Sequence, residues 1–311
     1  MKIVVRQISG LGNQLFQYAA GMYYAKRFGG PMRLAIDPPQ KAHSYGSPRP
    51  FLLPNFSITA PYAVVTQQER LLLSEKRSLQ PVLTAYCRLL GVEVLREQLE
   101  QRYTFVGDPP VRSDASTLYV AGYWQSHEMV DHVALEVREQ FRFARPPEGR
   151  SAEVLRQICN TEDAVSLHVR RGDYTLAAEG QIALPMEFYE RAIEHFRERL
   201  KNPVFFVFSD DIAYTRANLP TDIRAVFVDH NDDATAHDDM RLMSSCQHHI
   251  LANSSFSWWG AWLNPSKTKI VFAPKYWHLT AESYFPGLCP PEWVLGEFEV
   301  RAGTRQVTGG R

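Results

Sequence analysis

Ser166-Leu167-His168-Val169-Arg170-Arg171-Gly172-Asp173-Tyr174 organises the chain around it. The apolar run Ala164 to Leu167 leads in, and Gly172-Asp173 has the composition of a turn. The stretch therefore reads as a buried strand whose end delivers a histidine, two arginines and an aspartate. Side chains alternate faces along a strand, so His168 and Arg170 share one face and Arg171 takes the other. Ligands of open α/β sheets sit at the carboxyl ends of strands. Two guanidiniums there suit an anion with several oxygens, most simply a phosphate group. Taken alone, the same residues would serve equally well as a structural ion pair of Arg170 or Arg171 with Asp173.

Around this strand the second half of the chain repeats one rhythm. Glu162–Arg170 is a strand, and Met186, Tyr189, Ile193, Phe196 and Leu200 mark one face of an amphipathic helix. Strands follow at Val204–Phe208, Arg224–Val228, His249–Ala252 and Lys269–Ala273, with helices at Asp238–Cys246 and Trp258–Leu263 between them. Alternation of this kind predicts a parallel sheet covered on both faces.

The first half opens the same way. Lys2–Ile8 is a strand, Ser9 to Gln14 a glycine turn, and Leu15, Tyr18, Met22 and Ala25 recur at helical spacing until Gly29-Gly30. Arg33–Ile36 is the next strand, ending at Asp37. The glycine turn permits backbone N–H groups to approach a phosphate or sugar at the helix N-terminus. It is not the dinucleotide fingerprint, because Leu15 stands where the third glycine belongs. Residues 38–61 are rich in proline and turn formers, and 67–100 carry a leucine-rich helical pattern. Leu118–Gly122 reads as a strand running into Tyr123-Trp124-Gln125-Ser126, a packed corner or the floor of a pocket. Asp131–Phe141 reads as a helix, and Arg145-Pro146-Pro147-Glu148-Gly149 is the best linker. Two α/β domains are expected, 1–150 and 151–311.

Composition removes several function classes. Lys plus Arg and Asp plus Glu both number 34 among 311 residues, so no basic footprint for nucleic acid is present. No apolar run reaches the roughly 18–20 residues of a membrane span, and a cytoplasmic protein, in contact at most with the inner face of a membrane, is expected. The N-terminus reads as a strand rather than a signal peptide. Cys87, Cys159, Cys246 and Cys289 are isolated, as expected of reduced thiols in a cytoplasmic protein.

A second constellation sits at Asn253-Ser254-Ser255-Phe256-Ser257, between a strand and a helix. One serine suffices to cap a helix; three serines and an asparagine favour a phosphate-binding turn. Upstream, Asp238-Asp239 opens the preceding helix. A carboxylate there can accept two N–H bonds from the edge of guanine, or simply complement the helix dipole. Asp210-Asp211 reads as an N-cap in preference to a metal site, since no third ligand is near in sequence. Two arginines, a serine turn and an acid at the strand ends of one sheet describe a nucleoside-diphosphate site without a metal.

Three stretches resemble the bacterial α-1,2-fucosyltransferases of glycosyltransferase family 11. They are Gly10-Leu11-Gly12-Asn13-Gln14-Leu15-Phe16-Gln17-Tyr18-Ala19, His168 to Tyr174, and Asn253 to Leu263. Gly122 to Ser126 and Phe208 to Asp211 also look like family elements. Ser9 stands where the family usually has a first glycine. The resemblance implies a GT-B fold, two facing Rossmann-like domains with GDP-fucose mainly on the C-terminal one. It also implies inverting transfer of L-fucose to the 2-OH of a terminal β-galactoside, with neither cofactor nor metal. By the same resemblance Arg170 holds the β-phosphate, with Arg171 and His168 beside the nucleotide. Asp239 reads guanine, Ser254, Ser255 and Phe256 contact the pyrophosphate, and Gly12 and Asn13 reach the donor from across the cleft. Asp173 is the first candidate for a general base and Asp37 the second. No acceptor-binding residue is identified. A nicotinamide-dependent oxidoreductase and a non-catalytic carbohydrate-binding protein are the alternatives; the second would use Trp124, Trp258, Trp259 and Trp262, although the last three equally suit the core of one helix.

Overall fold

A computed structural model describes residues 1–37, 49–74, 79–97, 103, 105, 107, 110–172, 183–277 and 285–298. The first half contains strands β1 (Lys2–Gln7), β2 (Met32–Ile36), β3 (Tyr62–Val64), β4 (Val92–Arg96) and β5 (Thr117–Ala121). Helices α1 (Leu11–Phe28), α2 (Gln67–Leu72), α3 (Gln80–Leu89), α4 (His127–Asp131) and α5 (Ala134–Gln140) accompany them. After α6 (Gly149–Cys159) the second half runs β6 (Ala164–Val169), α7 (Met186–Arg197), β7 (Val204–Ser209), α8 (Ile212–Asn218) and β8 (Arg224–Val228). It continues with α9 (Ala236–Ser245), β9 (His248–Ile250), α10 (Ser255–Leu263), β10 (Val271–Pro274) and β11 (Val294–Gly296).

The strands form two sheets, ordered β3-β2-β1-β5-β4 and β11-β10-β9-β6-β7-β8, and every pairing is parallel. This is the doubly wound α/β architecture expected, with both faces of each sheet covered. In the first sheet Ile3, Val5, Leu118 and Val120 bury against α1, while Val4, Tyr119 and Ala121 bury on the opposite face with Leu72, Leu73 and Cys87. The second sheet divides likewise, with Val165 and Leu167 toward α7 and Phe206 and Phe208 toward α9.

The sheets are joined by packing between helices. Phe16 of α1 lies 4.6 Å from the ring of Trp258 and 5.0 Å from that of Trp259, both on α10. Those tryptophans are fully buried and belong to the same core as α1. They are core residues, and a sugar-stacking role for them is set aside.

Three short strands escaped sequence reading. β3 has all three residues exposed on a sheet edge, β4 hides inside a leucine-rich stretch, and β11 has only three residues. The single helix expected over Asp131–Phe141 is instead two, α4 and α5. Helix α10 begins at Ser255, ahead of the aromatic run, because Ser254 caps it by accepting the Phe256 N–H at 3.3 Å.

Candidate functional site

At the carboxyl rim of the second sheet lies a cavity of about 690 Å³ whose walls come from both halves of the chain. His168, Arg170, Asp239, Ser254, Ser255 and Phe256 line it from one side, and Gly12 and Asn13 from the other. Thus eight of the ten expected site residues share one space. Arg171 is outside it, and Asp173 lies outside the described residues.

Strand alternation explains the difference between the arginines. His168 and Arg170 extend the face of β6 that carries Ser166, whereas Arg171 turns away and stacks over the Tyr214 ring at 3.3 Å. Arg170 Nη1 lies 2.9 Å from Asp210 Oδ2, and the other oxygen of Asp210 accepts the Arg171 N–H at 2.9 Å. One carboxylate therefore fixes both the guanidinium and the chain behind it. Its neighbour Asp211 is the expected N-cap, accepting the Tyr214 N–H at 3.1 Å. The ion-pair partner of Arg170 is thus found 40 residues downstream, where spacing within the motif offers no clue.

His168 is buried against Phe256, with 5.8 Å between ring centroids. Burial first, and the Arg170 charge second, push its pKa down to about 3, so the imidazole is neutral near pH 7. Its Nδ1 is buried with no hydrogen-bond partner. Asp239 shows the opposite shift. Burial raises its pKa to about 7, against a 2.7 Å hydrogen bond from Asn231 that lowers it. A carboxylate so placed gains from any ligand that offers N–H donors.

Asn13, which lines the cavity, and Gln14 also join neighbouring segments. Asn13 Oδ1 accepts from Gln125 Nε2 at 2.6 Å and from Ser255 Oγ at 2.9 Å, and its amide donates to Ser9 Oγ at 2.9 Å. Gln14 bonds the carbonyls of Ser9 and Pro50 and the N–H of Leu52. Gly12 is needed because the serine turn comes close: a Cβ there would stand 2.5 Å from the Phe256 nitrogen. The corner at Trp124 is packed, at φ 55°, with Glu97 accepting the N–H groups of Tyr123 and Trp124.

Asp37, the second candidate base, is absent from the cavity wall. Arg6 holds it at 2.7 Å. Arg49, which sequence reading passed over, does line the cavity and pairs with Asp233 of the second half; it follows an irregular segment that carries no periodic signal. Among the described residues no group of three or more His, Cys, Asp or Glu is arranged to hold a metal ion.

Chemically, the cavity offers a guanidinium, the N-terminus of α10 and an acceptor carboxylate. The first two attract an anion and the third reads a polar edge. Two Rossmann-like halves enclosing such a cavity define a GT-B glycosyltransferase. More particularly, the chain belongs to Glycosyl transferase family 11, whose profile matches residues 2–294.

It is 29% identical over 307 residues to the alpha-1,2-colitosyltransferase of Escherichia coli, covering 94% of this chain and 98% of that protein. It is 26% identical over 273 residues to galactoside alpha-(1,2)-fucosyltransferase 2 of Sus scrofa, covering 85% of this chain and 70% of that protein. In fold it is similar to NodZ alpha-1,6-fucosyltransferase, crystallised and soaked with GDP-fucose. The TM-score is 0.51 at 16% identity, covering 87% of this chain and 94% of that one.

Proposed function

We propose that the protein is an inverting α-1,2-fucosyltransferase that moves L-fucose from GDP-fucose to the 2-OH of a terminal β-galactoside. The observation that carries this reading is the meeting of Arg170, Asp239 and the Ser254–Phe256 turn in one cavity of a family 11 chain. In this reading Asp239 accepts from the guanine edge, while Arg170 and the α10 N-terminus face the diphosphate. Neither needs a metal ion. The two alternatives, an oxidoreductase and a lectin, gain nothing from the relatives or from the buried tryptophans.

As the fucosyl C1–O bond breaks, negative charge grows on the departing GDP. Arg170 is already held in place by Asp210 and stabilises that charge without reorganising. Inversion places the acceptor hydroxyl opposite GDP, where its proton leaves late or to a base. Asp173 is retained as the proposed base. Asp37 is dropped because Arg6 occupies it.

The likeness to a colitosyltransferase favours one second reading, in which colitose replaces fucose in the donor. Purified protein offered GDP-fucose, GDP-colitose and a panel of galactosides separates the two by product linkage and identity. An α-1,2-fucosylated galactoside supports the proposal. Exclusive use of GDP-colitose transfers the proposal to that donor, and exclusive use of UDP-sugars overturns it.

A further inference from the structure

Nine large hydrophobic side chains are exposed among the described residues, and seven of them fall between positions 62 and 90. Five of the seven belong to the α2–α3 layer: Leu71 at 46% exposure, Leu79 and Leu90 at 37%, Val82 at 69% and Leu89 at 83%. Isolated exposed apolar residues are ordinary, whereas such a concentration marks an interaction surface.

Helix α3 shows how this face is built. Leu83 and Cys87, four apart, are buried, and Cys87 belongs to the core under the first sheet. Val82, Ala85 and Leu89, spaced three and four apart, form a second apolar stripe that points to solvent. A helix that is only half covered is ordinarily polar on its outer face, and among the described residues nothing covers this stripe. The layer packs on the face of the sheet opposite α1, and none of its residues lines the cavity.

Arg70 and Arg88 are the exposed charges among the described residues of α2 and α3, while Glu69, the acid of α2, is buried and paired inward with Arg33, and at the C-terminal end of α3 the acids Glu93 and Asp114 are paired with Arg112. In a chain of zero net charge, this surface therefore presents cations around apolar side chains. Apolar residues flanked by arginines fit an anionic lipid surface: the side chains enter the interface and the guanidiniums meet the headgroups. We infer that the outer face of α2–α3 is a peripheral docking site for anionic membrane. This inference does not depend on which sugar the cavity accepts.

The full-length protein, incubated with vesicles containing phosphatidylglycerol and separately with phosphatidylcholine vesicles, tests it by co-sedimentation. Expected is binding to the anionic vesicles that weakens as salt is raised. The double variants V82E/L89E and R70E/R88E should each bind roughly tenfold more weakly, with thermal unfolding unchanged because these side chains are exposed. Absence of binding to anionic vesicles, equal binding to both vesicle types, or variants that bind like the parent would overturn it. So would a concentration-dependent dimer, seen by sedimentation velocity and lost in V82E/L89E without any vesicle binding, which would assign the face to a second copy of this chain.

Discussion

Asn13 and Ser255 are 242 residues apart in sequence and hydrogen-bonded at 2.9 Å. This bond lies where the first turn of α1 meets the first turn of α10, and the glycine beside it makes the approach possible. A methyl group at position 12 would stand 2.5 Å from Phe256 N and 2.7 Å from Ser255 O, both backbone atoms that cannot swing aside. Gly12→Ala is therefore expected to separate the two helix ends and lose about 1–3 kcal/mol of stability, as overpacking typically does. Donor binding should weaken with it, since the displaced turn is the cavity wall. Chemical denaturation together with GDP calorimetry checks both; a variant that binds GDP normally would show that the turn need not be held here.

Arg170 and Asp210 separate chemistry from positioning. Arg170→Ala removes the charge facing the proposed leaving group and is expected to lower kcat by about 100- to 1,000-fold. Asp210→Asn keeps the shape but frees the guanidinium and weakens the bond to the Arg171 N–H. A smaller loss is expected there, about tenfold, appearing mainly in KM for the donor, because the charge remains but is no longer held in one geometry. Initial rates over a donor series distinguish the two. Equal losses in both variants would mean that Asp210 itself contacts the substrate.

Much of this was legible in sequence, for physical reasons. Apolar runs exposed β1 and β6, whose strands are buried on both faces, and period-3.6 patterns exposed α1 and α7, each of which buries one continuous face. Alternation placed His168 with Arg170 and turned Arg171 away, yet the chemistry of two adjacent guanidiniums kept Arg171 among the expected donor contacts. What remained hidden were partnerships between distant segments: Asp210 with Arg170, Asn13 with Ser255, Arg49 with Asp233. Periodicity describes an element's own faces and carries nothing about which remote side chain will meet it. The same limit explains Gly12, whose neighbour at Phe256 belongs to the other sheet.

Asp239 makes donor binding depend on pH. Burial disfavours the charge on its carboxyl and raises its pKa to about 7. The proposed guanine donors require the ionised form, so binding below pH 7 must release a proton. Affinity for GDP is then expected to rise about tenfold per pH unit up to 7 and level off above it. Calorimetry in buffers of different ionisation enthalpy counts the proton directly. In the free protein the sign reverses: with the folded pKa raised from 3.8 to about 7, the unfolded chain ionises first and stability is lost between pH 3.8 and about 7. Asp239→Asn should therefore gain more stability over the parent at pH 8 than at pH 5, while losing GDP affinity. Affinity that is flat across pH 5.5–7 would remove Asp239 from the base-reading role.

His249, inside the second sheet, is expected to make the fold sensitive to acid. It is fully buried, with Nδ1 2.8 Å from Ser166 Oγ and Nε2 2.9 Å from the Asn264 amide. Because Asn264 donates to Nε2, the ring carries its proton on Nδ1 and gives it to Ser166, so both nitrogens are satisfied only in the neutral form. Burial, then the Lys269 and His248 charges, hold its pKa well below 6.5. The unfolded chain takes up a proton below pH 6.5 and the folded chain does not, so stability falls as the medium is acidified. The slope is about 1.4 kcal/mol per pH unit from this residue, beginning near pH 6.5. His249→Gln, which cannot charge, should be less stable at pH 7 yet lose less between pH 7 and pH 5, as measured by urea denaturation at the two values. Parallel losses in parent and variant would place the acid-sensitive group elsewhere, with His168 the next to replace because its pKa is also held down, to about 3.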